Sequence, residues 1–223
     1  VIAEHIKQIS SIPNRNKKLI VTDIGSTKKF IMETALSSFS NRSYLVFIGG
    51  HPMTGNEFKG IDSHDSSIYE NSIYVLTPFK NTKDEDIDGL IKLVKTVGAL
   101  PLILDYNKHD KIVAGISHLP QMLATGLVDF ISKEENSSIS KTLCAGGFRD
   151  MTRIASSQYR MWKDIIETNK ENILYMINSY IDELNLIKSH ICNDTLEDIF
   201  TNAANTRAAI PFGKSGVMMP TWE

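Results

Sequence analysis

None of the 13 glycines in this 223-residue chain forms a Gly-x-Gly-x-x-Gly turn, so the sequence alone does not reveal a dinucleotide site. Cysteine is scarce: Cys144 and Cys192 lie far apart with no C-x-x-C spacing, which suggests neither a zinc site nor a disulfide framework and fits a reducing cytoplasm. Nothing approaches the roughly 18 consecutive apolar residues of a membrane span, and the N-terminus lacks the basic-then-apolar order of a signal peptide. No sign of charge dominates, with 24 Lys and Arg against 26 Asp and Glu. No like-charge run is long enough to track a phosphate backbone, so neither nucleic acid nor membrane is an expected partner. Metal-ligand clusters, a nucleophile elbow and convincingly spaced paired acids are also missing.

What is present is ordinary globular composition, 42% hydrophobic and 22% charged, enough for one large domain or two small ones. The chain opens at Val1 in a helix-like VIAEHIKQI and stops at PTWE after a Gly/Pro-rich stretch. Both ends read as cuts rather than natural termini.

From Lys18 to Asp105, short β-branched or aromatic runs alternate with amphipathic stretches. The runs are Leu19 to Thr22, Tyr44 to Ile48, Ile73 to Leu76 and Leu102 to Leu104; helices are expected over Lys28 to Phe39, Asp62 to Glu70 and Asp84 to Val97. Strand-helix-strand repetition predicts an α/β domain over 1–105, a partial Rossmann-like parallel sheet with helices on its faces. The near-continuous Leu45-Val46-Phe47-Ile48 suits a strand covered on both sides. After Asp105 the pattern is all-α, with helices expected over Ile112 to Lys133, Ser138 to Cys144, Met151 to Thr168, Lys170 to His190 and Thr195 to Ala208. That gives a helical domain over 106–209 and a linker over 210–223.

Ligands of open α/β sheets collect where strands end. Thr22 to Lys28 joins a strand to a helix through Gly25 and hydroxyl residues that could offer donors to a ligand; an ordinary helix N-cap is the simpler reading. Gly49-Gly50-His51-Pro52-Met53-Thr54-Gly55 reads as a rigid loop placing His51 at a strand's C-terminal end, where a group of pKa about 6.5 can serve as general acid or base. His109 and His118 bracket the start of the first helix of the second domain, and Pro120 predicts a kink near Ser117 and His118. Ala145 to Ala155 combines a Gly pair with Arg149 and Arg153, which share a helical face if the helix has begun; Arg is the side chain for bidentate carboxylate recognition, and surface salt bridges are the plainer use.

In the order VTDIGSTK, FIGGHPMTGNEFKGID, HDKIVAGISHLPQMLA and AGGFRDMTRIASSQYRMW, these segments resemble the prephenate dehydrogenase family over nearly the whole chain. The resemblance implies NAD-dependent oxidative decarboxylation of prephenate to 4-hydroxyphenylpyruvate in tyrosine biosynthesis, with NADP as a possible coenzyme. It matches His51 to the family's catalytic His, Ser26 to the serine that orients the hydroxyl, and Arg153 to the carboxylate clamp. His118, Gly146 and Trp162 match substrate-pocket positions, with Thr152, His109 and Asp110 as supporting members. The same resemblance implies cofactor contacts at Asp23, Ser26, Lys28, Pro52 and Thr54, no metal, a homodimer formed through the helical domain, and a C-terminal regulatory domain beyond the chain. Ser157-Gln158-Tyr159-Arg160 departs from the family, where many relatives carry Asp-Pro before Met-Trp. Arogenate in place of prephenate, or a dimerising, ligand-binding fragment without turnover, are the alternatives.

Overall fold

The structure, a computed structural model, describes residues 1–13, 17–54 and 67–210. The chain forms two compact units, one comprising 1–106 with 180–223 and the other 107–179.

In the first unit four strands lie in the order β1 (Leu19–Val21), β2 (Leu45–Pro52), β3 (Ile73–Pro78) and β4 (Leu100–Ile103). Helices α1 (Ile2–Ser10), α2 (Lys29–Phe39) and α3 (Asp84–Thr96) accompany them. β2 sends alternate side chains to opposite faces, as a pleated strand must. Leu45 and Phe47 pack with Ile6, Ile31, Met32, Ala35 and Phe39 of α1 and α2. Ile48 packs instead with Leu76, Leu90, Val94 and Ala99, on the α3 side. Both faces are covered, which is why β2 reads as a continuous apolar run. α3 begins with Asp84, Glu85 and Asp86 and has Lys95 in its last turn, charges that complement the helix dipole. Gly98 follows at φ +80, the left-handed position that ends a helix and favours glycine.

The sheet corrects the expectation of uniform parallel pairing. β1–β2 and β3–β4 are parallel, but β2 and β3 are antiparallel, with Gly50 opposite Leu76 and His51 opposite Val75. That pairing also carries β2 through Pro52, so Gly49 to Pro52 is strand rather than loop. Of the expected helix over Asp62 to Glu70, residues 62–66 lie outside the described residues and 67–70 form a turn. Residues 211–223 of the expected linker are outside them too, as is Gly55. In the same unit, residues 180–192 complete helix α9 (Lys170–Cys192) and are followed by α10 (Glu197–Ala209).

The second unit is helical. α4 (Tyr106–Val113), a π turn (Ala114–His118) and α5 (Leu119–Lys133) stand where one kinked helix was expected. Pro120 has no N–H to donate backward, and the wider π turn stands directly before it. Beyond α5 come α6 (Ser137–Leu143), α7 (Gly146–Thr152), a 3-10 turn (Arg153–Ser156) and α8 (Tyr159–Thr168). The expected helix from Met151 to Thr168 is thus interrupted: Ser157 and Gln158 are extended, at ψ 142 and 132.

Candidate active site

In the first unit, the loop after β1 and the end of β2 are held together by one buried ion pair. The Lys28 ammonium meets Asp23 Oδ2, and Lys28 is fully buried with Asp23 at 7% exposure. Each partner also grips the main chain of Gly50: Asp23 Oδ1 accepts from the Gly50 amide at 3.0 Å, while Lys28 Nζ donates to the Gly50 carbonyl at 2.6 Å. Asp23 Oδ2 further accepts from the Gly25 amide at 2.8 Å. Ladder pairing between β1 and β2 stops at Val21 and Phe47, so these side chains extend the connection by three more residues of β2. Isolated buried charges are costly; here each is paired and hydrogen-bonded.

The glycines of this segment are required by close approach. A Cβ on Gly50 would lie 2.4 Å from the Asp23 main-chain oxygen, and one on Gly49 would lie 2.3 Å from Thr77 Oγ1. His51 follows, half-buried, with Pro52 buried behind it. Thr54 turns its hydroxyl onto the Ile68 carbonyl at 2.9 Å. Ser26 lies at a bend in the loop, half-buried, beside Ile24, which is 63% exposed. Lys28 occupies the cap position of α2 without a side-chain cap bond.

The loop offers a hydroxyl, main-chain groups and an exposed apolar side chain beside a half-buried His, while the Asp23 and Lys28 charges are turned on one another. Those features fit the flat, carboxamide-bearing nicotinamide end of a dinucleotide.

The second unit gathers His109, Asp110, His118 and Trp162. His109 and Asp110 are each 1% exposed, with His109 Nδ1 and Asp110 Oδ1 at 2.8 Å. His118 is buried by the π turn, and Asn169, at the junction of α8 and α9, links it to α4. Asn169 Nδ2 lies 2.8 Å from the Asp110 carbonyl and 3.2 Å from His118 Nδ1. Burial pushes the His118 pKa from 6.5 down to about 4, opposed by the Asp110 carboxylate and assisted by His109. The Trp162 ring meets His118 edge to face, centroids 5.8 Å apart, and its buried indole N–H has no hydrogen-bond partner among the described residues.

Arg153 opens the 3-10 turn and is exposed. Gln121 of α5 fixes that turn by donating to the Ile154 carbonyl at 3.0 Å. Thr152 turns its hydroxyl back onto the Phe148 carbonyl, and Gly146 is exposed at the start of α7. Sequence reasoning missed Asn169 and Gln121; a polar residue between two amphipathic stretches was the one available signal for Asn169. Among the described residues, no group of three or more His, Cys, Asp or Glu could hold a metal ion, and no helix is long and apolar enough to cross a membrane.

Two family models match the chain: the prephenate dehydrogenase nucleotide-binding domain over residues 1–102 and the prephenate dehydrogenase dimerization domain over 105–204. The prephenate dehydrogenase of Bacillus subtilis strain 168 is 34% identical over 205 residues, covering 90% of this chain and 55% of that protein. The chain thus spans about half the length of that relative. The Aquifex aeolicus prephenate dehydrogenase, solved with hydroxyphenyl propionate and NAD+, superposes with a TM-score of 0.79 at 30% identity, covering 92% of this chain and 70% of that one. A Synechocystis arogenate dehydrogenase gives the same TM-score at 26% identity, covering 92% and 72%.

Proposed function

The chain belongs to the prephenate dehydrogenase family, and we propose that it carries out, with NAD, the oxidative decarboxylation of prephenate to 4-hydroxyphenylpyruvate in tyrosine biosynthesis. The observation that carries the reading is the clasp of Asp23 and Lys28 on Gly50, which fixes the backbone that presents His51.

His51 hydrogen-bonds the ring hydroxyl of prephenate and takes its proton, a role suited to an imidazole that is half-buried rather than sealed. Ser26 orients that hydroxyl, and Arg153 clamps a carboxylate of the dianionic substrate. Thr152 and Gly146 support the pocket around Arg153, and His118, Trp162 and His109 complete it. NAD, when bound, would supply the hydride acceptor. Ser26, Pro52 and Thr54 would hold its nicotinamide, with Asp23 and Lys28 shaping that surface through Gly25 and Gly50. Loss of the carboxylate as CO2 restores ring aromaticity and drives the reaction forward.

We further propose a cytoplasmic homodimer formed through the helical domain. Along α9 only Ile173 is buried, while Leu174, Ile181, Leu184 and Ile191 are exposed at helical spacing. An apolar face of that extent marks a contact surface, and a second copy is the occupant the family model's description suggests. NADP as coenzyme and a ligand-binding piece without turnover are the competing outcomes, the latter motivated by the covered share of the Bacillus relative.

The test is reduced-nicotinamide absorbance with prephenate and NAD, measured on this chain and on any longer natural protein containing it. Turnover is expected, with His51→Asn lowering kcat by about a hundredfold or more at near-unchanged prephenate KM. Equal turnover in that variant removes His51 from the chemistry; no turnover in either wild-type protein leaves the binding-piece reading.

A further inference from the structure

In the first unit, two residues with roles in the proposed reaction each follow a glycine, and both glycine amides end on the same side chain. Gly25 donates to Asp23 Oδ2 at 2.8 Å, and Gly50 donates to Asp23 Oδ1 at 3.0 Å. Ser26 comes directly after the first glycine and His51 directly after the second. Ladder pairing does not set these two against each other, because β1 and β2 stop pairing at Val21 and Phe47.

Both glycines are tightly enclosed. A Cβ on Gly25 would lie 2.7 Å from Ile31 Cδ1 and 3.0 Å from Ile2 Cδ1, so the peptide is wedged between side chains of α1 and α2. Lys28 supplies the opposing charge and holds the Gly50 carbonyl at 2.6 Å. Its side chain is fully buried, so that charge acts inside the fold.

We propose that Asp23 is a positioning residue that sets Ser26 and His51 in register with each other, one carboxylate oxygen for each, with Lys28 as its charge partner. This rests on the reading above in assigning Ser26 and His51 to one substrate hydroxyl. Two groups that act on the same oxygen must both be placed closely, and a misplacement of about 1 Å costs on the order of a hundredfold in rate. A carboxylate offers two acceptor oxygens at a fixed separation, which makes it a rigid gauge between two amides.

The paired substitution Asp23→Leu with Lys28→Met removes both oxygens and strands no charge, so it separates positioning from folding. Amide hydrogen exchange should show Gly25 and Gly50 protected in the wild type and both opened in this double variant. Its kcat for prephenate should fall about a hundredfold, while prephenate KM and NAD Kd stay within about threefold. Asp23→Asn with Lys28→Met retains one acceptor oxygen and should open a single amide, with a smaller loss of rate. An unprotected Gly25 or Gly50 amide in the wild type, or wild-type kcat in Asp23→Leu with Lys28→Met, overturns the proposal. So does a loss of NAD affinity equal to the loss of kcat, which would make the pair a direct cofactor contact. Should both amides open as expected while the wild type gives no turnover with prephenate, the proposed activity fails and the bridge stands.

Discussion

Lys28 Nζ donates to the carbonyl of Gly50 at 2.6 Å, twenty-two residues away and one residue before His51. The same ammonium is paired with Asp23, whose other oxygen takes the Gly50 amide. One peptide segment is therefore held from both its donor and its acceptor side by charges that neutralise each other, and the residue after it is the proposed proton acceptor.

Breaking that pair should cost more than replacing it. Lys28→Met is expected to lose about 3–5 kcal/mol by stranding a buried carboxylate. The double variant Lys28→Met with Asp23→Leu should recover part of the loss, because no unpaired charge remains. Denaturant unfolding of the two singles and the double gives the coupling directly; additive losses would show that the pair is not one unit.

Gly50→Ala places a methyl group 2.4 Å from the Asp23 main-chain oxygen, and backbone cannot swing aside as a side chain can. A loss of about 1–3 kcal/mol is expected, as for other overpacked sites, with kcat reduced because His51 shifts along with it. A variant with wild-type melting temperature and turnover would contradict the contact.

Arg153→Ala should raise prephenate KM roughly tenfold to a hundredfold, the range for losing charge-assisted hydrogen bonds. Gln121→Leu should show a weaker form of the same effect, since Gln121 holds the turn that begins at Arg153. Steady-state kinetics on both variants decides, and an unaltered KM in Arg153→Ala removes the carboxylate clamp.

His118 makes stability pH-dependent with a definite sign. Its pKa is depressed from 6.5 to about 4 in the folded protein, so below pH 6.5 the unfolded chain takes up a proton that the folded one refuses. Its contribution is complete above pH 6.5 and is lost as pH falls toward 4. Unfolding free energies measured across that window should decline in the wild type and decline less in His118→Gln; parallel curves would mean that the ring is not sealed from solvent.

Most elements were legible because burial writes its period into the chain. The run from Leu45 to Ile48 and the helix over Lys29–Phe39 lie where their apolar spacing predicted. Strand direction was not legible, because antiparallel and parallel partners impose the same alternation; the reversal of β3 against β2 is a non-local pairing. The interruption at Ser157 and Gln158 was missed for a related reason. Neither residue forbids a helix, whereas the Asp-Pro of many relatives would have announced the break. His51, Asp23, Lys28 and Gly50 were individually visible, but that two charges converge on one peptide depends on a contact across more than twenty residues.

The π turn at Ala114–His118 takes up one residue more than an ordinary turn would hold. Each residue of an α-helix advances about 100° around the axis and each residue of the wider turn advances less, so deleting one residue between Ala114 and Ser117 would close an ordinary helix and leave α5 near its present phase. Gln121 would then keep the Ile154 carbonyl. A residue deleted from α5 ahead of Gln121 meets no such wide turn and would swing Gln121 away by that angle. Length is therefore forgiving at the π turn and constrained just beyond it.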